Sequence, residues 1–129
     1  MESIRLDGTA YRVHVEYDSL VESFEIAEGQ NAGTSITSRQ IRDILGTAYS
    51  YTLKVERDPR YPEDFDRFYD AISAPVDSHT VVMPHGQENL TFDAVVTSGQ
   101  VTYGGILRNR RYWKGLTVNF KPVEPQRTT

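Results

Sequence analysis

The sequence predicts a β-rich α+β fold, an antiparallel β-sandwich or partly closed barrel of about seven or eight strands with one amphipathic helix packed on it. Several short runs alternate apolar and polar residues with a period of two, as half-buried strands do. Gly, Pro, Asn and Asp separate these runs at close intervals. A single segment, residues 62–73, instead carries apolar residues at helical spacing, namely Phe65, Phe68, Tyr69 and Ile72.

Length and composition are those of one globular domain. The chain has 129 residues, of which 38% are hydrophobic and 25% charged. We assign residues 1–125 to a single domain and expect residues 126–129 to fray, because they have nothing to bury. The absence of cysteine excludes disulfides and thiolate metal sites. The net charge of −4 disfavours general binding to nucleic acid or acidic membranes. We find neither the apolar core of a secretion signal nor a run that could cross a bilayer, so we expect no membrane partner.

The first strands are predicted by a turn signal. Asp7 and Gly8 lie between two alternating runs and supply the positive φ angles of a type I′ turn, so we expect a hairpin. Tyr11, Val13, Val15 and Tyr17 continue its second strand. A second turn at residues 18–19 leads into a strand over residues 20–26.

A polar stretch over residues 27–38 follows this strand. It contains Gly29, Asn31 and Gly33, and its first nine residues include no large apolar side chain. We expect an exposed arm that becomes ordered against a neighbouring subunit, with Asn31, Gly33 and Ser35 at that interface. An ordinary mobile hairpin tip is the equal alternative. Residues 36–46 fit either a helix face or a strand, and we interpret them as extended.

The centre of the chain is predicted to be strand, helix, strand. Tyr49, Tyr51, Leu53 and Val55 alternate with polar residues. Pro62 suits the first helical position, and acidic residues in the first turn complement the helix dipole. Pro75 closes the helix. The helical residues that we expect on the solvent side are Asp64, Asp66, Arg67 and Asp70.

The remaining chain is predicted to be extended. Residues 80–83 and 90–97 are strands joined by a turn over residues 84–89. Residues 101–107 are a strand in which Gly104 and Gly105 indicate a bulge or loop. A charged turn at residues 108–111 precedes the last strand, residues 112–120. The residues that we expect to anchor the core are Leu53, Phe65, Phe68, Ile72, Phe92, Trp113 and Phe120.

No catalytic or metal-binding constellation is evident. His14, His79 and His85 are the only imidazoles, and we interpret them as surface or turn residues and not as metal ligands. The acidic helix residues follow the spacing of a solvated face. The sequence has neither a Gly-x-Ser-x-Gly elbow nor a phosphate-binding glycine loop. We therefore predict no catalytic residues, no cofactor and no small-molecule substrate.

The best nucleic-acid candidate is the segment 108–114. It carries Arg108, Arg110, Arg111 and Lys114 beside Tyr112 and Trp113, and cations with stacking rings can hold a single strand. A small nucleic-acid-binding module is therefore the alternative function. We favour a core position for Trp113. The arginines Arg108, Arg110 and Arg111 then either decorate a loop or meet an acidic neighbour.

Several segments of the chain form a set of motifs, namely Asn31-Ala32-Gly33, Arg42-Asp43-Ile44, Tyr51-Thr52-Leu53-Lys54-Val55-Glu56, Ala71-Ile72 and Trp113-Lys114-Gly115-Leu116-Thr117-Val118-Asn119-Phe120. Together they resemble a family of small tail-module proteins from phages and prophages of Gram-positive bacteria. The closing motif is the most specific of them. The chain departs from the family pattern in a longer N-terminal hairpin and an extra basic turn at residues 108–111.

The resemblance implies a virion structural protein and not an enzyme. Such a protein is made in the host bacterial cytoplasm and resides in the virion tail, as part of a tail tube, distal-tail or adaptor ring. Its partners would be copies of itself in a ring homo-oligomer, of which a hexamer is one form, and other tail proteins. The family carries no catalytic residues to transfer to this chain.

Overall fold

The computed structural model describes residues 4–16, 18–29, 33–34, 40–107 and 110–128. The fold is β-rich α+β, as predicted, with one helix and an antiparallel sheet that does not close into a barrel. The strands are β1 (Ile4–Leu6), β2 (Thr9–Tyr11), β3 (His14–Val15), β4 (Val21–Glu28), β5 (Gly33–Thr34), β6 (Gln40–Ile41), β7 (Ile44–Glu56), β8 (His79–His85), β9 (Glu88–Val95), β10 (Gly99–Leu107), β11 (Arg110–Pro122) and β12 (Arg127–Thr128). The helix, α1, spans Pro62–Ile72.

The two longest strands organise the sheet. Its order is β12-β7-β11-β9-β8-β1-β2, with β3 and β4 also paired to β7 and β10 to β11, while β5 and β6 form a separate pair. Strand β11 pairs with β7 over residues 115–120 and then with β9 through Lys121 and Pro122, so it joins the two halves of the sheet. The β7 and β11 residues of the core are Tyr51, Leu53, Val55, Leu116, Val118 and Phe120. Those from β1, β8 and β9 are Ile4, Leu6, Val81, Met83, Phe92 and Ala94.

The opening hairpin is confirmed, but its second strand is shorter than predicted. Asp7 and Gly8 have φ angles of 52° and 83°, both positive as a type I′ turn requires. Strand β2 ends at Tyr11, and the chain resumes as β3, which pairs with β7 instead of β1. The chain thus crosses from one half of the sheet to the other at Arg12 and Val13. Tyr17 lies outside the described residues.

Helix α1 covers the core next to this crossing. Pro62 is at its start, and Phe65, Phe68 and Ile72 are buried, as the spacing predicts. The ring of Phe68 meets Tyr11 edge-on, with the ring centroids 5.6 Å apart.

The prediction that Asp64 faces solvent is wrong. Its carboxylate is buried, and it accepts hydrogen bonds from the Arg12 backbone N–H at 2.9 Å and from Arg12 Nε at 3.0 Å, which offset the cost of burying the charge. Arg67 donates to the other oxygen. These donors, first the Arg12 side chain and then its backbone, hold the pKa of Asp64 well below its usual range. The carboxylate therefore joins the first turn of the helix to the point where the chain changes sheet halves.

Residues 126–128, the described part of the C-terminal tail, contact β7. Strand β12 pairs with β7 at Thr47, and β11 pairs with β7 as far as Tyr51. Between them, the Gln126 side chain accepts from the Tyr49 N–H and donates to the Tyr49 carbonyl, both at 2.8 Å. The amide thus replaces a strand residue, and this edge of β7 stays bonded where its neighbouring strands leave a gap.

Two turns differ in detail from the prediction. Arg110 and Arg111 belong to β11, so they do not lie in the charged turn expected over residues 108–111. Strands β8 and β9 pair as far as His85 and Glu88, so the turn is two residues long and not the six expected. Pro84 and His85 therefore belong to β8. The bulge expected near Gly104 and Gly105 is confirmed by register shifts in the β10–β11 pairing. The described part of residues 36–46 is extended, as interpreted.

We expect Phe68→Ala to destabilise the domain by about 3–5 kcal/mol, because it removes a fully buried ring and leaves a cavity under the helix. Urea denaturation followed by circular dichroism measures this loss. Asp70→Ala, at an exposed position of the same helix, is the control and should change stability little. Equal stability of the two variants would contradict the packing described for α1.

We expect Asp64→Asn to cost about 1.5–3 kcal/mol at neutral pH, the range for hydrogen bonds to a charged group. Because the folded pKa of Asp64 is lowered, its contribution is complete above the unfolded pKa of about 3.9 and is lost as the pH falls toward the folded value. Denaturant titrations from pH 7 to pH 2 should show the difference from wild type narrowing below about pH 4.

The control for this titration is Asp66→Asn, because Asp66 is exposed on the same helix. It should leave the curve close to wild type. A constant gap between wild type and Asp64→Asn across the whole pH range would contradict the role assigned to the ionised carboxylate.

Candidate functional site

Two hairpin segments extend beyond the buried core. The acidic arm is β4 with the first half of β7, residues 21–28 and 44–50. The basic arm is β10 with the start of β11, residues 99–107 and 110–114. No large apolar side chain described in either segment is buried, whereas residues 51–55 of β7 and 116–120 of β11 alternate buried and exposed positions. Each long strand therefore supports the core at one end and an arm at the other.

Exposed apolar side chains concentrate on these arms. Of the eight large hydrophobic residues exposed in the described part of the chain, six lie on an arm. On the acidic arm they are Val21, Phe24, Ile44 and Leu45, and on the basic arm Tyr103 and Ile106. Phe24 is 72% exposed and Ile106 is 70% exposed. Single exposed apolar residues are ordinary, but their accumulation on two arms indicates a contact surface.

A group of three side chains fixes the base of the acidic arm. Oε2 of Glu22 accepts a hydrogen bond from the Tyr51 hydroxyl at 2.5 Å and lies 2.8 Å from Nδ1 of His85. The Tyr49 ring packs edge-on against His85, with centroids 4.8 Å apart. We call Glu22, Tyr51 and His85 the clasp. It connects β4 to the tip of the β8–β9 hairpin.

The clasp shifts the pKa values of Glu22 and Tyr51. Partial burial raises the pKa of Glu22, but the hydrogen bonds from His85 and Tyr51 outweigh it, so the pKa is lowered overall. Burial and then the bond to Glu22 raise the pKa of Tyr51 well above its usual range. Near neutral pH the phenol is therefore protonated and donates to an ionised carboxylate. Sequence reasoning missed this group because its members are far apart in the chain and follow no periodic pattern.

The aromatic residues of the basic arm contact other protein groups. Trp113 is half-buried, with its ring centroid 5.7 Å from those of both Tyr69 and Tyr103. The Tyr112 ring lies against the Cα of Gly104, where a Cβ atom would collide with it. The Arg57 guanidinium lies 4.6 Å from the centre of the same ring. This packing does not favour the alternative in which Tyr112 and Trp113 stack on nucleic-acid bases.

The predicted interface residues fall into three groups. Asn31, Ser35 and Arg108 lie outside the described residues. Gly33 lies in β5 and Arg110 in β11, each with its backbone paired to an adjacent strand. Arg111 is exposed in β11. Of the predicted core anchors, Trp113 is half-buried against the core, and those that are buried are Leu53, Phe65, Phe68, Ile72, Phe92 and Phe120.

The histidines are separated from one another. His14 is exposed on β3, as predicted. The prediction of a turn position for His85 is wrong, because His85 belongs to β8 and to the clasp. His79 is buried and not at the surface, with Nδ1 2.7 Å from Oδ2 of Asp7. Burial raises the pKa of Asp7, but the hydrogen bonds from His79 and the Thr80 N–H outweigh it and lower the pKa overall. No group of three His, Asp or Glu side chains among the described residues could hold a metal ion.

The outer face of β7, β10 and β11 contains a shallow groove. Thr52, Gln100, Thr117 and Asn119 line it, together with residues 98–99 and Val118. No side chain in this lining titrates, so the groove offers no general acid or base.

Sequence comparisons add no assignment. No protein-family model matches the chain, and no curated protein matches its sequence. In the part of the chain that the structure describes, no helix is both long enough and apolar enough to cross a membrane. The arms and the clasp are therefore the features that bear on function.

We expect the fluorescence of Trp113, the only tryptophan, to be quenched by iodide several-fold less than that of a free tryptophan amide, because Tyr69 and Tyr103 cover part of its ring. Adding short single-stranded DNA or RNA at low salt should leave the emission unchanged. Full quenching by iodide, together with tight binding that weakens steeply with salt, would instead support the nucleic-acid alternative.

Proposed function

We propose that this chain is a structural component of a phage or prophage tail that acts by self-assembly or by docking into a tail tube, distal-tail or adaptor ring. The observation that carries the proposal is the concentration of exposed apolar side chains on the two arms. The tail setting comes from the sequence resemblance, above all from the closing strand that ends at Phe120. Assembly, not catalysis, is then the activity of the protein.

The exposed apolar area supplies the driving force. Burying apolar surface stabilises an association by about 25 cal/mol per Å². Phe24 and Ile106 each leave most of their side chain in water in the isolated chain, so both would gain from a neighbour. An aromatic residue at such a position is typical of the residues that dominate interface energetics.

The strand edges offer a second means of contact. Among the described residues, β4 pairs only with β7 and β10 pairs only with β11. Each arm therefore presents one edge with backbone N–H and C=O groups that can add to another sheet. Eight residues of β4 and nine of β10 are long enough for specific pairing.

The polar side chains support the same reading. The most constrained ionisable groups already act within the fold, Asp64 at the helix, Glu22 in the clasp and Asp7 with His79. Asp58, which lines a cleft with His14, is likewise bound by Arg60. These contacts support the structural role proposed.

We expect Phe24→Ser and Ile106→Ser each to reduce self-assembly, measured by light scattering and sedimentation over a range of protein concentrations. Both side chains are exposed, so the melting temperature should change little. Val76→Ser is the control, since Val76 is 54% exposed but lies on neither arm. Assembly that survives both arm substitutions, or falls equally with the control, would count against the arms as contact surfaces.

A further inference from the structure

The two arms carry opposite charge. The stretch 18–50, which contains the acidic arm, has two guanidinium groups, Arg39 and Arg42, and five carboxylates, which are Asp18, Glu22, Glu25, Glu28 and Asp43. The stretch 97–121, which contains the basic arm, has no acidic residue and five basic ones, which are Arg108, Arg110, Arg111, Lys114 and Lys121. The basic stretch stands out because the chain as a whole has a net charge of −4.

On each arm an exposed apolar residue lies near an exposed charge, which is acidic on β4 and basic on β11. Opposed residues of paired strands share a face, and so do residues two apart on one strand. Ile106 opposes Arg111, and both lie on the face of Tyr103 and Trp113. On β4, Phe24 shares its face with Glu22 and Glu28, but these carboxylates already contact His85 and Arg42 respectively. The carboxylate left for a partner is that of Glu25, the exposed neighbour of Phe24 on the other face. Glu25 and Arg111 have no ion-pair partner among the described residues.

We propose that the acidic arm of one copy binds the basic arm of the next copy, with Phe24 and Ile106 near the centre of the contact. This inference rests on the proposed function, since it specifies how the copies meet. A contact between two acidic arms or two basic arms would bring like charges together, which is unfavourable. A contact between unlike arms pairs the charges and buries apolar residues from both sides.

The polarity of this contact determines the geometry of the assembly. A contact between different surfaces of identical chains is heterologous, so it generates rings where the rotation closes and filaments where it does not. Both arms are held in place before binding, the acidic one by the clasp and the basic one by the packing of Tyr112 on Gly104. Less ordering entropy is then lost on association.

The test reverses the charge of one exposed residue on each arm. Glu25→Lys and Arg111→Glu should each raise the protein concentration needed for half-assembly by on the order of tenfold at low salt. An equimolar mixture of the two variants should assemble again, since the altered acidic arm of one then meets the altered basic arm of the other and the net charges of the two arms again complement each other. The double variant should assemble by itself for the same reason. The salt dependence of assembly should weaken in both single variants.

Two controls make the same change in net charge away from the arms. Asp70→Lys lies on the exposed side of α1 and Arg5→Glu on the exposed side of β1, and both should assemble like wild type. Circular dichroism and Trp113 emission verify that every variant is folded. An arm variant that does not fold is replaced by Glu25→Gln or Arg111→Gln, which should each weaken assembly to a smaller extent.

Different failures identify different errors. Single arm variants that assemble like wild type, or a mixture that fails to assemble, would overturn the pairing of unlike arms but leave self-assembly intact. Wild-type protein that remains monomeric at every concentration and salt level would overturn this inference together with self-assembly of the isolated chain. If Phe24→Ser loses assembly while Glu25→Lys assembles like wild type, the contact surface is supported but the pairing of opposite charges is contradicted.

Discussion

The fold depends on the carboxylate of Asp64, which is placed where three structural elements meet. The chain leaves one half of the sheet at Arg12, enters the other half at β3, and passes beneath the first turn of α1. At this corner the Arg12 N–H has no strand to bond, and Asp64 accepts its hydrogen bond. The guanidinium groups of Arg12 and Arg67 neutralise the same carboxylate, so the charge tolerates burial. The position of the helix and the path of the N-terminal chain are thereby fixed together.

Strands β7 and β11 connect the buried core to the two arms. Each has 13 residues, about twice the usual strand length, and only part of each lies in the core. The remaining residues form the arms, which are continuous with buried, fully paired backbone. A loop of similar length would lose conformational entropy on binding, whereas an extension of a core strand has lost most of it already. The same strands thus join the packing of the interior to the surfaces available for assembly.

Local patterns in the sequence predict much of this architecture. The alternation around Leu53, the Asp7-Gly8 turn and the helical spacing of Phe65 and Phe68 each depend on neighbouring residues, and each is found in the structure. Asp64 could not be distinguished from a solvated helix carboxylate, because its main partner lies 52 residues earlier in the chain. The clasp and the Gln126 contact were missed for the same reason. Hydrogen bonds between distant side chains leave no periodic signal, and they decide where the arms and the C-terminus lie.

The Gln126 amide limits the number of strand edges at which another chain can pair with the sheet. By bonding to both backbone groups of Tyr49, it occupies the short gap between β11 and β12 along β7. An open gap would offer an additional site for another chain to pair with the sheet. With that position closed, the long unpaired edges in the described part of the chain are those of β4 and β10. A particle with two such edges can link into lines or close into circles, but it cannot branch into a network.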